Sequence, residues 1–148
     1  ISIEVDLKPL ATNKPLYGDF KIFNKGKTPA KRIEYIHSIQ IVTKDQSPIF
    51  LFPKGTGGFT GLLLPNHSNS AAVAWYTKDS EFLDPPGLTE SDHDAIRSGK
   101  AYVAITSTIK YLDIYNTSHW LNYCHWAGNA SGSYYAASCA KYNDVDNN

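Results

Sequence analysis

The sequence has no methionine, only two cysteines, no net charge and no long apolar run, and each shortage removes a class of explanation. No stretch approaches the roughly 18 apolar residues that a bilayer-crossing helix needs, so none reads as a transmembrane span. Fourteen Lys and Arg balance fourteen Asp and Glu. A nucleic-acid surface needs clustered cations to displace counterions, so no nucleic-acid partner is expected. The densest basic stretch, "KGKTPAKR" (25–32), reads as a solvated turn leading into a strand. A chain that starts at Ile1 and lacks Met is expected to be a processed protein or a fragment, with any signal peptide or anchor outside it.

Two thiols cannot complete a zinc site, and the spacing of Cys124 and Cys139 does not make a C-x-x-C redox pair. A disulfide between them is the favoured reading, with two free buried thiols as the alternative. A bridge would place the domain in an oxidising compartment.

What is present is β patterning. In "ISIEVDLKPL", Ile1, Ile3, Val5 and Leu7 alternate with polar residues, the period-two signature of a strand with one wet face. "LYGDFKIF" (16–23) predicts a second strand. "NKGKTPA" supplies a turn, with Gly26 able to take positive φ and Pro29 unable to donate to a ladder. "KRIEYIHSIQIV" (31–42) puts Ile33, Tyr35, Ile39 and Ile41 on one face. A short strand (49–52), a glycine-rich loop "PKGTGGFTG" (53–61) and a buried strand (71–76) follow. One helix is expected within "LTESDHDAIRSGK", with Thr89 as N-cap, Asp92 completing a capping-box-like pair and Gly99 just past the end. "AYVAITSTIKYLDIY" (101–115) reads as the longest strand, "NTS" as its turn, and "HWLNYCHW" (119–126) as the strand pairing back. No repeat or linker divides the chain, so residues 1–148 read as one domain. Seven or so strands with one short helix predict an all-β sandwich.

The usual catalytic sets are incomplete. No G-x-S-x-G elbow, H-E-x-x-H pair or Walker loop occurs. His119 and His125 share strand parity but stand roughly 20 Å apart, too far to share a metal. Cys124 and His125 point to opposite faces, which opposes a thiol nucleophile with its base. No enzyme, metal or cofactor is therefore expected. Trp75, Tyr76, Trp120, Tyr123 and Trp126 allow a carbohydrate-stacking platform, although strand aromatics more often fill cores and cross-strand pairs. Asn66, Asn116 and Asn129 head N-x-S/T sequons in expected loops.

Two stretches carry a resemblance. "FKIFNKGKTPAKRIEYI" (20–36) resembles the F-x-N-x-G-x-T-P-A turn of bacterial immunoglobulin-like extracytoplasmic domains. "LTESDHDAIRSGKAYVAITSTIKYLDIYNTSHWLNYC" (88–124) resembles a family of uncharacterised bacterial membrane-anchored proteins. The matching positions are Leu88, Thr89, Gly99, Lys100, Tyr111, Asp113, His119 and Cys124, with Cys139, Tyr142 and Asn143 matching the family's ending. Tyr115 and Asn116 replace the family's Phe-Gly, and Leu121 stands where Thr is common. The resemblance implies an immunoglobulin-like sandwich held outside the bacterial inner membrane, in the periplasm, by a segment outside this chain. It supports the Cys124–Cys139 pairing and offers Asp113 and His119 as binding residues, with a hydrogen-bonded hairpin as the favoured explanation of that pattern. The expected role is a non-catalytic interaction or sensory module with an unknown protein partner at the cell envelope. The expected contacts are the glycine-rich loop and the tail "WAGNASGSYY" (126–135), through Trp126, Tyr134 and Tyr135. The alternative is a secreted carbohydrate-binding module, or a hydrolase with acids assembled by the fold.

Overall fold

A computed structural model describes residues 1–49, 57–75, 84–130, 133–140 and 143–146, with backbone alone at 129–130 and 133–135. Its strands are β1 (Ser2–Leu7), β2 (Tyr17–Phe23), β3 (Ala30–Thr43), β4 (Gly57–Leu63), β5 (Ser68–Ala74), β6 (Ala101–Leu112), β7 (Ser118–Ala130) and β8 (Ser133–Ser138); one helix, α1 (Glu90–Arg97), precedes β6. A three-stranded sheet, β1-β2-β5, faces a five-stranded sheet, β4-β3-β6-β7-β8. The fold is an immunoglobulin-like, all-β sandwich.

The long strands exist because β6 finds partners on both sides. Ala101–Leu112 pairs antiparallel with β3 and with β7 along its whole length, so its backbone groups stay satisfied inside a buried sheet. Alternation then sends Val103, Ile105, Ser107 and Ile109 inward, where all four are essentially inaccessible to water. They meet Ile33, His37 and Ile39 of β3 and, from the opposing sheet, Phe20, Ile22 and Val73. Truncating Phe20 in such a core costs about 3–5 kcal/mol.

The helix forms where its caps direct it. Thr89 Oγ accepts from the Asp92 amide at 3.1 Å and donates back to its carboxylate, and Gly99 takes φ 73° just beyond the last turn. The buried Ile96 joins Leu88 in the core.

Several expectations are corrected. The longest described strand is β3, not the one following the helix; β6 stops at Leu112 because Asp113 opens a turn. Residues 57–61 of the expected glycine-rich loop are strand β4, while 53–56 lie outside the described residues. Gly58 serves contact rather than flexibility: a Cβ there would overlap the Tyr35 ring of the neighbouring strand. Of the expected strand at 49–52, Ile49 is irregular, its amide and carbonyl held by the Gln40 side chain, and 50–52 lie outside the described residues. The strand expected at 71–76 begins at Ser68 and ends at Ala74, and Tyr76 lies outside the described residues. The 24–30 turn is built on Asn24 rather than a left-handed Gly26. The Asn24 amide nitrogen donates to Thr28 O and Leu63 O, and its oxygen accepts from the Gly26 amide. The tail 126–135 is the end of β7 and the start of β8, so Asn129 lies in a strand, whereas Asn66 and Asn116 are in turns.

His37 shows what this core tolerates. Its ring stacks on Phe20 at 3.7 Å and on Tyr35 at 4.7 Å, and Nδ1 meets Ser107 Oγ at 2.9 Å. Nε2 is buried without a partner, and burial pushes the pKa down to about 3, so the ring is neutral. An unfolded histidine titrates near 6.5, so folding stability is full above about pH 6.5 and drains as pH falls toward about 3. Urea denaturation should therefore show losses approaching about 1.4 kcal/mol per pH unit inside that window. His37→Phe should remove most of this slope, leaving the smaller part that belongs to His125, whose pKa burial also lowers. A second test concerns Gly58. Gly58→Ala should destabilise by about 1–3 kcal/mol in urea and cost far less in a Tyr35→Ala background, where the ring no longer occupies the space.

Candidate functional site

The hairpin between β6 and β7 is wound on one carboxylate. Asp113 Oδ1 accepts from the Tyr115 and Thr117 amides, each at 2.8 Å, while its own amide donates to Thr117 O at 3.0 Å. The tight return needs a left-handed residue, and Asn116 supplies it at φ 63°. Lys31 steadies the turn from β3 by donating to Ile114 O and Asn116 Oδ1. The expected turn, 116–118, is thus earlier and longer, with β7 resuming at Ser118.

The second Asp113 oxygen faces His119 Nε2 at 3.3 Å, and Asp146 Oδ2 meets His119 Nδ1 at 2.7 Å. Tyr111, the cross-strand partner of His119, stacks on the imidazole at 5.1 Å. Asp146 arrives from a segment that continues the sheet edge beyond β8. The Asn122 amide donates to Asp144 O at 2.8 Å, and the Asp146 amide donates to Trp120 O. The Cys124–Cys139 disulfide anchors this return, with Cα atoms 5.4 Å apart. Asn143 completes it: its Oδ1 accepts from the Cys124 amide and its Nδ2 donates to Cys139 O.

The electrostatics follow from geometry. A neutral imidazole has one N–H and one lone pair, so donating to two ionised carboxylates requires the imidazolium. Burial alone pulls the His119 pKa down, but hydrogen bonds and charge from Asp113 and Asp146 outweigh it, and the net shift is upward. For Asp113, burial pushes upward, but the Thr117 amide, His119 and the Tyr115 amide outweigh it, and the carboxyl ends below its ordinary value. Burial, then the two aspartates, raise Tyr111, so its phenol stays protonated. Among the described residues, no group of three or more His, Cys, Asp and Glu is placed to hold a metal ion.

The structure brings together Asp113 and His119 of the expected site and adds Asp146, which the sequence reading missed. The available signal was the alternation Asp144-Val145-Asp146 after the second cysteine, a strand-like triplet in a polar tail. Trp126 lies elsewhere, on the outer face of β7, with its ring edge-to-face against Tyr102 at 5.8 Å. Tyr134 and Tyr135 pair by backbone with Asn129 and Gly128; their expected side-chain contacts lie outside the described residues. The five-aromatic platform does not assemble. Tyr123 points inward against Phe20, and burial pushes its pKa up to about 12, whereas Trp120 and Trp126 face outward.

The outer face of the larger sheet carries a different alignment. Phe59 lies opposite Glu34, Glu34 opposite Lys110, and Lys110 opposite Trp120. This single cross-strand row spans four strands, about 14 Å at the usual strand spacing. Its end rings are 63% and 40% exposed; Ile36, two residues from Glu34, is 40% exposed, and Leu62, farther along β4 opposite Lys31, is 53% exposed. Comparison with known proteins finds no matching family model, no matching curated protein and no matching solved structure.

The disulfide generates a prediction about stability. Closing a loop of this length contributes about 3 kcal/mol on the chain-entropy model, so reduction should lower the urea midpoint by a corresponding amount. The unfolded, unreduced protein should titrate no thiol; two titratable thiols would remove the bridge from the account.

Proposed function

We propose that this chain is a non-catalytic interaction or sensory module, displayed outside the cytoplasm by a bacterial membrane-anchored protein, that contacts a protein partner through the outer face of its larger sheet. The observation that carries this reading is the exposed row Phe59–Glu34–Lys110–Trp120, with Ile36 beside it and the exposed Leu62 farther along β4. Two rings flanking a pair of opposite charges, with aliphatic groups nearby, match the mix of anchors and polar contacts at protein interfaces. The disulfide supports an oxidising compartment, such as the periplasm. No described helix is long and apolar enough to cross a membrane, so anchoring in this reading belongs to a segment outside this chain.

The non-catalytic part rests on how the polar cluster is spent. Both ring nitrogens of His119 face carboxylates, and Asp113 uses one oxygen on two amides and the other on His119. A general base needs a lone pair aimed at a substrate proton, and here those atoms are turned on one another. The cluster supports a fastening role.

The second reading, a carbohydrate-binding face, draws on the same exposed rings. Ile36 and Leu62 weigh against it, because aliphatic side chains offer a sugar neither a flat stacking surface nor a hydrogen bond. The two readings separate experimentally. A photo-crosslinking amino acid at position 62 of the full-length protein, activated in intact cells, should give one dominant protein adduct that Phe59→Ser and Trp120→Ser each diminish several-fold. Absence of any adduct, together with quenching of Trp120 fluorescence by a soluble oligosaccharide, would replace the protein partner with a glycan. Thiols alkylated in the same cells before lysis should show Cys124 and Cys139 oxidised. Two free thiols there would remove the extracytoplasmic assignment.

A further inference from the structure

We propose that residues 143–146 form a pH-sensitive latch, seated on the edge of β7 while His119 carries both ring protons and released once it has lost one. The proposal is independent of the identity of any partner. It rests on one count of atoms: two carboxylate oxygens face the two nitrogens of a single ring, at 2.7 and 3.3 Å. When the imidazolium loses a proton, one nitrogen presents a lone pair to a carboxylate, and attraction on that side becomes repulsion.

The two sides of the ring are held unequally. Asp113 sits in a turn covalently continuous with β6 and β7, its other oxygen bound to the Tyr115 and Thr117 amides. Asp146 lies on a segment joined to β7 through Asn122 N–Asp144 O, Asp146 N–Trp120 O and the single bridge between Leu121 and Val145. Its side chain is 9% exposed, against 24% for Asp113, so its charge leans more on the histidine that neutralises it. A neutral ring still holds one N–H, which in the released state sits on Nε2, toward Asp113; Nδ1 then turns its lone pair on Asp146, and the segment, held by fewer bonds than the turn, is the part that yields. Asn143 and the disulfide keep the near end attached, which makes the change a local opening.

The other charged groups around the ring do not reproduce this behaviour. The Tyr111 phenol of β6 stays protonated across the range. Lys110 and Glu34 point to the opposite face of the sheet, and Lys31 is engaged by the outside of the turn. Asp144 is exposed and contributes its backbone carbonyl. Just before β1, burial lowers the pKa of the Ile1 amino group and the Asp146 charge opposes this, with the net shift downward, so this amine is a second titrating group facing Asp146. Acetylating that amine isolates the histidine.

Because the Asp146 carboxylate adds to the upward shift of His119 in the latched state, latching is complete below the unlatched value, which Asp113 alone still raises, and is lost as pH rises through the latched value. The test uses the acetylated wild-type chain. NMR follows the ring nitrogens of His119, and hydrogen-exchange protection factors are measured at the Asn122 and Asp146 amides from pH 5.5 to 9. Protection at both amides should fall through the same transition as the ring titration, by about tenfold for each unit separating the latched and unlatched pKa values. Amides between β3 and β6 should hold constant. Asp146→Asn should lower the His119 pKa and abolish the pH step at Asn122, while Asp113→Asn should keep Asn122 protected at pH 9. Protection factors that stay flat while His119 titrates, or a His119 pKa at or below 6.5, would overturn the latch.

Discussion

Everything described depends on the register of β6 between β3 and β7. Side chains in a strand alternate with a period of two, so a slip of one residue on either side would exchange the inner and outer sets. In the observed register Ile105 lies beside Ile39 and His125, and Thr106 beside Ser38 and Cys124. The first row makes the core, and the second lies on the outer face. The fastening cluster and the exposed row are the two faces of one ladder: Tyr111–His119 inward, Lys110–Trp120 outward, one residue apart. Inward packing makes this register strong, because the slipped alternative would expose Val103, Ile105 and Ile109 and bury Lys110.

The same register underlies two features of the burial pattern. Ser38 and Thr106 lie on the outer face yet are almost wholly buried, and the Gln40 amide nitrogen reaches Thr106 Oγ1 at 3.4 Å. Gln40 takes both backbone groups of Ile49, and the Tyr102 hydroxyl donates to Gln46 O at 2.7 Å. Gln46 and Ile49 are thereby tied to the part of this face nearest the β6 start. Exposed rings are found toward the β6–β7 turn, at Phe59 and Trp120.

Strands with clean alternation, and the capped helix, were legible in the sequence. Ile1–Leu7 and Thr89–Gly99 carry their patterns within a dozen residues, where local chemistry decides. The glycine-rich stretch was not legible, because the reason for its glycines lies across the sheet: the Tyr35 ring occupies the space a side chain at Gly58 would need. His37 shares the parity of Ile33, Tyr35 and Ile39, so alternation alone placed it inward. Its polarity concealed that, and the Ser107 hydroxyl that makes the burial tolerable comes from another strand 70 positions away. Asp113 and His119 are six residues apart with a turn between them, close enough to be read as a hairpin. Asp146 is 27 positions from His119 and reaches it because the β7–β8 hairpin turns the chain back along β7 and the disulfide pins it there. Local signals and the cysteine pair were visible, and the Asp146–His119 pairing that the returning chain makes was not.

That closure also manages the edge of the larger sheet. An unpaired strand edge is a template for another chain, and β7 would present one along its outer side. The hairpin to β8 covers His125–Ala130. At Cys124 the carbonyl accepts from the Cys139 amide and the amide donates to the Asn143 side chain. Residues 144–146 then satisfy Trp120 and Asn122. The cover thus passes from backbone ladder to covalent bridge to a short segment fastened by a charged histidine. Its strength declines along the same direction, since a ladder of six pairs gives way to one bridge and one ring. The ordering places the most easily opened backbone beside Trp120, the exposed aromatic at the end of the outer row. Opening the edge there would uncover the Trp120 carbonyl and the Asn122 amide on the strand that displays that ring, so the protonation of His119 and the proposed contact surface are joined through a single strand.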